Sequence, residues 1–422
     1  MPTYFTKHRI RSAWLAMMYL LLLPAYARPQ VAPSGNRTLS LADLESMAQQ
    51  YHPALVAAAA RVDAASGHWR QAGRWPNPVI GYHAAEIGIR DSAGQQGAFV
   101  SQKVITGGKL RLDQAAATAA VREAEFALDV QQWRVLSDVR IRFYETLVAQ
   151  RRLQLTRDLS DIANQLVSST KLLLKGRQAS ENDLLQAEIE AESAHMLLDN
   201  ADNGHLEAWQ RLMAVVGLTD LQPTLLAGDL DGDVPELDWQ ECYHAVMQRS
   251  PELDVAMMKV ERARLIVTRQ CREWIPNVDV FVSVRHHNVT TDEVANVQIG
   301  IPIPVFDANG GNVQRASSEL IVAESNVRRI ELDLQDRLAV IYRRYANARQ
   351  QADRYARQIL PRARKSLELV RRGYEQGQMD YLTLINSQRS YIRVSLAHLD
   401  AVRELRTSAV LIEGQLLSGS LK

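Results

Sequence analysis

Between Lys109 and Lys175 the chain contains neither glycine nor proline. These are the strongest local breakers of a helix, so the stretch reads as one continuous helical path. At about 1.5 Å of rise per residue it would be about 100 Å long. Helices of ordinary globular proteins average only three or four turns, so a rod of this length does not fit in a compact domain. Its apolar residues recur at Phe126, Val130, Trp133, Leu136, Val139, Phe143 and Leu147. The mean step is about 3.5, the period that keeps one seam facing a partner helix. Arg122, Glu123, Arg134, Asp138 and Arg140 place charge on the other side. The rest of the chain is expected to pack against this rod or to anchor it.

The chain has 422 residues and a formal net charge of +1, which gives no footprint for nucleic acid. Lys7, Arg9 and Arg11 precede an apolar run from Ala13 to Leu23 and then Ala25-Tyr26-Ala27. This is the layout of a secretory signal peptide, residues 1–27, and predicts export. The apolar run is too short to span a bilayer as a helix, and no other stretch approaches that length. The two cysteines, Cys242 and Cys271, form no spacing pattern, and two free thiols are the simpler expectation.

Landmarks recur at an interval of about 200 residues, the mark of an internal duplication. His52-Pro53 returns as Ser250-Pro251, and Trp75-Pro76-Asn77-Pro78 as Ile275-Pro276-Asn277. Thr106-Gly107-Gly108 before the rod returns as Asn309-Gly310-Gly311 before a second rod. The second seam reads Leu334, Leu338, Ile341, Tyr345, Ala348, Ala352, Tyr355 and Ile359. Gly176 ends the first rod and Gly377 the second. The expected organisation is a first repeat over 28–216, with strands 79–89 and 97–105 and long helices over 109–216. A linker at 217–237 leads to a second repeat over 238–422, with strands 278–287 and 295–305 and long helices over 312–417.

The second-repeat strands alternate. Val278, Val280, Val282 and Val284 share one face, with Asp279, Ser283 and Arg285 on the other and Phe281 as the exception. Val297, Ile299, Ile301 and Ile303 alternate with Asn296, Gln298, Gly300 and Pro302. About ten residues is the length of a strand that crosses a bilayer in a barrel. Four strands cannot close such a barrel, and an open edge in lipid leaves backbone groups unpaired, so closure must come from further copies of the chain. Val297, Ile299 and Ile301 are the expected lipid-facing residues. The fold class is therefore mainly α with a small β part: coiled-coil rods joined to a four-stranded contribution to an oligomeric transmembrane barrel.

These landmarks, together with Ile301-Pro302-Ile303-Pro304-Val305-Phe306-Asp307 and Tyr374-Glu375-Gln376-Gly377, resemble the TolC-type outer-membrane efflux family. The block from Ile299 to Glu324 is similar to its cobalt–zinc–cadmium branch, which serves heavy-metal exporters of the resistance–nodulation–division type. The resemblance implies a homotrimer with a twelve-stranded outer-membrane β-barrel and a periplasmic α-barrel. It also implies two partners, a periplasmic adaptor (membrane fusion) protein and an inner-membrane pump of that type, and a passive exit duct without cofactor or catalytic residues. The residues agree: there is no nucleophile–base pair, phosphate loop or zinc motif. Exit ducts for multidrug efflux or type I protein secretion share the fold and are the alternative. A periplasmic coiled-coil protein with a structural or adaptor role is the alternative of another class, and the strand alternation speaks against it.

The resemblance further implies that the turns at Gly176 and Gly377 form the periplasmic tip that meets the adaptor. A glycine there also serves simple helix termination. Tyr374 and Asp183 match family positions that help hold the tube closed. Met379 stands where an arginine is common, and Thr383 and Asn386 where acids are common, so Asp380 is the remaining acidic candidate. The same residues also read as an ordinary solvated helix end. His286-His287 cannot share a metal as a pair, because adjacent strand residues point to opposite faces. Asp229-Leu230-Asp231-Gly232-Asp233 lacks the glycine and glutamate positions of a calcium loop and reads as a polar linker.

Overall fold

The structure, a computed structural model, describes residues 38–88, 93–218, 221–230, 232 and 234–421. The expected signal peptide lies outside them. Two helices open the first repeat, α1 (Leu41–Tyr51) and α2 (Pro53–Ala72). Ser40 caps α1: its Oγ accepts from the Asp43 N–H at 3.2 Å, and Asp43 Oδ2 accepts from the Ser40 N–H at 3.0 Å. Pro53 begins α2, where its missing N–H costs nothing, and His52 Nδ1 accepts from the Ala54 N–H at 3.2 Å. Strands β1 (Val79–Ala85) and β2 (Gln95–Val104) follow. The rod is α3 (Lys109–Lys175), one helix of 67 residues. It turns back into α4 (Glu181–Val216).

The second repeat has the same order: α5 (Trp239–Arg249), α6 (Pro251–Cys271), β3 (Val278–His287) and β4 (Glu293–Gly300), then α7 (Gly310–Arg354). A five-residue π-helical turn (Tyr355–Ile359) joins α7 to α8 (Leu360–Glu375), and α9 (Tyr381–Glu413) returns. Pro361 sits just beyond the π turn and has no N–H to donate, so the ladder widens before it. The extra residue rotates the seam. Leu334, Leu338, Tyr345, Ala348 and Ala352 are buried, whereas Ile359, expected on the same seam, is 40% exposed.

Each repeat builds its own core. Leu44, Ala48 and Leu55 pack with Val135, Val139, Phe143 and Leu147 of the rod and with Trp209, Leu212 and Val216 of α4. Cys242, Val246 and Leu253 pack with Leu334, Leu338 and Tyr345 and with Val402, Leu405 and Ala409 of α9. The rod touches α1, α2, α4, α6 and α9, more sides than a single seam serves. Hence Trp133 is 36% exposed while its neighbour Val135 is fully buried. The chain end folds back onto the rod, where the Gly419 and Ser420 N–H groups donate to Asp138.

The strands form one antiparallel sheet in the order β1-β2-β3-β4, and a short parallel pair joins Leu39–Ser40 to Leu226–Ala227. Three of the four strands differ from expectation in their limits, with β2 running over Gln95–Val104 rather than 97–105 and β4 opening at Glu293 rather than 295. The first strand stops at Ala85 rather than reaching 89, and β4 stops at Gly300 rather than 305. Pro302 and Pro304 cannot donate to a ladder, so pairing ends before them and Ile301 lies beyond the sheet. None of the described helices is long and apolar enough to cross a membrane.

Candidate functional site

The register decides which side chains share a face. Val282 is paired with Val100 and with Val297, Val280 with Ile299, Val284 with Ala98 and Ala295, and Ile80 with Val100. One face thus carries an apolar band across all four strands, bounded by Gln102 on one side and by Gln96, His286 and Glu293 on the other. It is exposed: Ile80 74%, Tyr82 67%, Val297 69% and Ile299 66%. The opposite face carries His83, Lys103, Asp279, Ser283, Arg285, Asn296 and Gln298, and here Ser283 is buried. A soluble sheet hides its apolar face, and this one presents it. Phe281, the exception to the alternation, stacks on Phe99 within the polar face. The outer edges of β1 and β4 have no neighbouring strand among the described residues.

The junction between sheet and rod holds a buried cation that periodicity did not reveal. Lys109, the first residue of the rod, is 2% exposed. Its Nζ donates to Asn277 Oδ1 at 3.0 Å and pairs with Glu273 at 3.5 Å. Arg269 bonds Glu273 and pairs with Asp113 of the rod at 2.8 Å. Burial pushes the Glu273 carboxyl up, but Arg269 and Lys109 outweigh it and hold it below the usual carboxylate range. Thr106 donates through its hydroxyl to the Pro276 carbonyl and through its N–H to Asn277 Oδ1. The Pro-Asn landmark of the sequence is therefore the clamp that ties the exit of β2 to the entry of β3.

At the far end of the helices lie two turns of one design. Gly176, Arg177 and Gln178 donate their N–H groups to Leu172, Leu174 and Leu173. Gln376, Gly377 and Gln378 donate to Arg372, Tyr374 and Gly373 in the same pattern. The correspondence is therefore Gly176 with Gln376 and Arg177 with Gly377. Gly377 holds the left-handed position with φ +72°, and in the first turn Arg177 holds it with φ +56°. Gly176 has φ −79° and does not serve as the left-handed cap. The two glycines are not equivalent, because the last helical hydrogen bond, not the glycine, sets where the turn begins.

The residues expected at the gate gather beside these turns. Asp183 caps α4: its Oδ2 accepts from the Ser180 N–H at 2.9 Å, and Ser180 Oγ accepts from its N–H at 3.2 Å. No hydrogen bond joins Asp183 to Tyr374 within the chain. Tyr374 instead packs edge-on against Tyr381, centroids 5.9 Å apart, in a cluster with Ala187, Ile385, Leu166 and Val167. This cluster unites both hairpins. The Tyr381 hydroxyl is buried without a hydrogen-bond partner, and burial, then Tyr374, Glu190 and Asp183, push its pKa up. Asp380 accepts from the Thr383 hydroxyl, and Arg389 of α9 pairs with Glu190 of α4. Met379 lies over Gly373, where an added Cβ would come within 2.7 Å of its side chain.

His286 faces Glu293 at 3.0 Å, and His287 faces Glu86 at 3.8 Å. No group of three or more His, Cys, Asp or Glu among the described residues is placed to hold a metal ion. Asp231 and Asp233 lie outside the described residues, while the Leu230 and Gly232 carbonyls accept from Arg406. Cys242 is buried in α5 and Cys271 is exposed at the end of α6, and they are not bonded.

The sequence matches the family model described as outer membrane efflux protein over residues 44–218 and 242–413. It is similar to the cobalt-zinc-cadmium resistance protein CzcC of Cupriavidus metallidurans, 23% identical over 398 residues that cover 93% of this chain and 92% of that one. The fold is similar to that of the outer-membrane channel OprN, with a TM-score of 0.74, 17% identity and coverage of 90% and 91%. It is also similar to CusC, whose structures concern folding and transmembrane channel formation, with a TM-score of 0.72, 17% identity and coverage of 94% and 100%.

Proposed function

Since the chain belongs to the outer membrane efflux protein family, we propose that three copies of it close one outer-membrane barrel and act as the passive exit duct for heavy-metal cations. The observation that carries this reading is the inverted sheet. An exposed apolar band faces away from a polar face, and the two edge strands await partners. In hydrocarbon, backbone groups along those edges must be paired, and pairing β4 of one copy with β1 of the next satisfies them without an open edge. The apolar band, including Val297 and Ile299, then meets lipid, and the polar face lines the pore.

The metal cargo rests on the likeness to CzcC along nearly the whole of both chains. A periplasmic adaptor docked at the Arg177 and Gly377 turns, and an inner-membrane pump beyond it, complete the route. Asp183, Tyr374, Met379 and Asp380 stand at the entrance, where a change in the packing of the two hairpins opens or closes it.

Native mass spectrometry of the detergent-purified protein tests the first part, with an expected mass of three chains. Deleting the gene in its host tests the cargo. Tolerance to cobalt, zinc and cadmium should fall while tolerance to organic antibiotics stays, and the reverse pattern would assign the duct to drugs.

A further inference from the structure

The polar face of the sheet carries few charges, and they are not treated alike. Lys103 of β2 stands directly opposite Asp279 of β3, so at that level the signs cancel. Arg285 of β3 stands opposite Gly97 of β2 and Val294 of β4, and none of the described acids pairs with it. Its Nε is buried without a hydrogen-bond partner. Gly97 makes room for the arginine stem, since a Cβ there would come within 2.8 Å of Arg285 Cγ. On the far side of Gly97, at the same level, stands His83 of β1. Two side chains able to donate hydrogen bonds thus flank one residue that has no side chain.

A guanidinium stays charged at any physiological pH, and a partly buried cation without a counter-charge is destabilising. The cross-strand position that could hold an acid, as Asp279 does for Lys103, is occupied by Val294. A charge kept on these terms points to a use outside the chain. Arg285 is two residues from the hairpin end of β3, and the rod starts from the opposite end of the sheet, where β2 leads into Lys109. In the exit-duct reading it therefore lies at the outer mouth of the barrel, beyond the stacked rings of Phe99 and Phe281.

We propose that Arg285 sets the ion preference of the barrel, drawing small anions into its outer mouth and disfavouring free cations there. This rests on the exit-duct reading and adds to it a residue that determines selectivity. Threefold symmetry places three arginines at one height around the axis. A water-filled pore in a low-dielectric wall concentrates the field of such a ring, and rings of arginine or lysine are one way in which pores favour anions. Ser283, Asn296 and Gln298 on the same face are neutral, and Lys103 and Asp279 offset each other. Arg285 is thus the one uncompensated full charge among the described strand residues of this face.

The test is the reversal potential of the purified full chain in planar bilayers under a potassium chloride gradient. Arg285→Met keeps an apolar stem over Gly97 and removes the charge. It should lower the ratio of chloride to potassium permeability about threefold, as expected when the field of a charge ring is lost. Arg285→Glu should lower the ratio further, and Arg285→Lys should keep the parent's value. Arg285→Gln is the second uncharged variant and should match Arg285→Met, so that a failure of one to assemble leaves the other to be read. Asp279→Asn leaves Lys103 uncompensated and should raise the ratio. A ratio that is the same in the parent, the uncharged variants and Arg285→Glu overturns the proposal, whether or not Asp279→Asn moves it, as does a ratio that rises when the arginine is lost. A channel indifferent to residue 285 refutes this assignment alone, whereas a parent protein that forms no channel refutes the duct reading itself.

Discussion

The rings of Phe99 and Phe281 stack across the join between the two repeats, centroids 5.2 Å apart and planes 26° apart. Their strands pair Phe99 with Ser283 and Ser101 with Phe281, so the rings are diagonal neighbours on the polar face. Gly81 on β1 seats them, since a Cβ there would come within 2.5 Å of the Phe99 ring.

The stack is expected to narrow the barrel where the repeats meet. Phe99→Ala should lower stability by about 1 kcal/mol for the lost aromatic pair and raise single-channel conductance. An unchanged conductance would show that the rings do not face the pore.

Ile299 and Gln298 are adjacent and point to opposite faces. Ile299→Arg, on the apolar band, should cost about 2–4 kcal/mol near the bilayer midplane and impair insertion. Gln298→Arg should insert normally and shift ion selectivity toward anions. Equal insertion of both variants would contradict the assignment of the faces.

Acid should loosen the junction of sheet and rod. Glu273 is held below the ordinary carboxylate range, so the folded protein binds its proton less readily than the unfolded chain. Its contribution is therefore fully present above the unfolded pKa and is lost as pH falls through the lower folded value. Its side chain is 39% exposed, so solvent screening keeps the contribution small. Glu273→Gln should lower the thermal midpoint at neutral pH and flatten its decline in acid. A variant whose midpoint falls as steeply as the parent's would place the acid sensitivity elsewhere.

The unpartnered hydroxyl of Tyr381 carries a cost that its removal relieves. Tyr381→Phe keeps the ring against Tyr374 and should raise stability by about 1 kcal/mol. A loss of stability in the assembled protein would show that a neighbouring copy supplies the missing bond.

The rods, the duplication and the alternation of β3 and β4 were legible in the residues, because each is a local property repeated along the chain. Absence of breakers between Lys109 and Lys175, recurring Pro-Asn and Gly landmarks, and a period of two in Val278–Val284 need no knowledge of what lies opposite. Other features needed the fold. Lys109 is buried because Glu273 and Asn277, distant in sequence, come to meet it. Ile359 left its seam because a π turn ahead of Pro361 changed the phase of the helix. Phe281 broke the alternation because its ring had a partner on another strand. The left-handed tip residue is Arg177 rather than Gly176, since the last hydrogen bond of the helix, closed by its packing, decides where the turn begins. Periodicity is written into the chain one residue at a time, whereas burial, phase and the place of a turn belong to pairs of residues that only folding brings together.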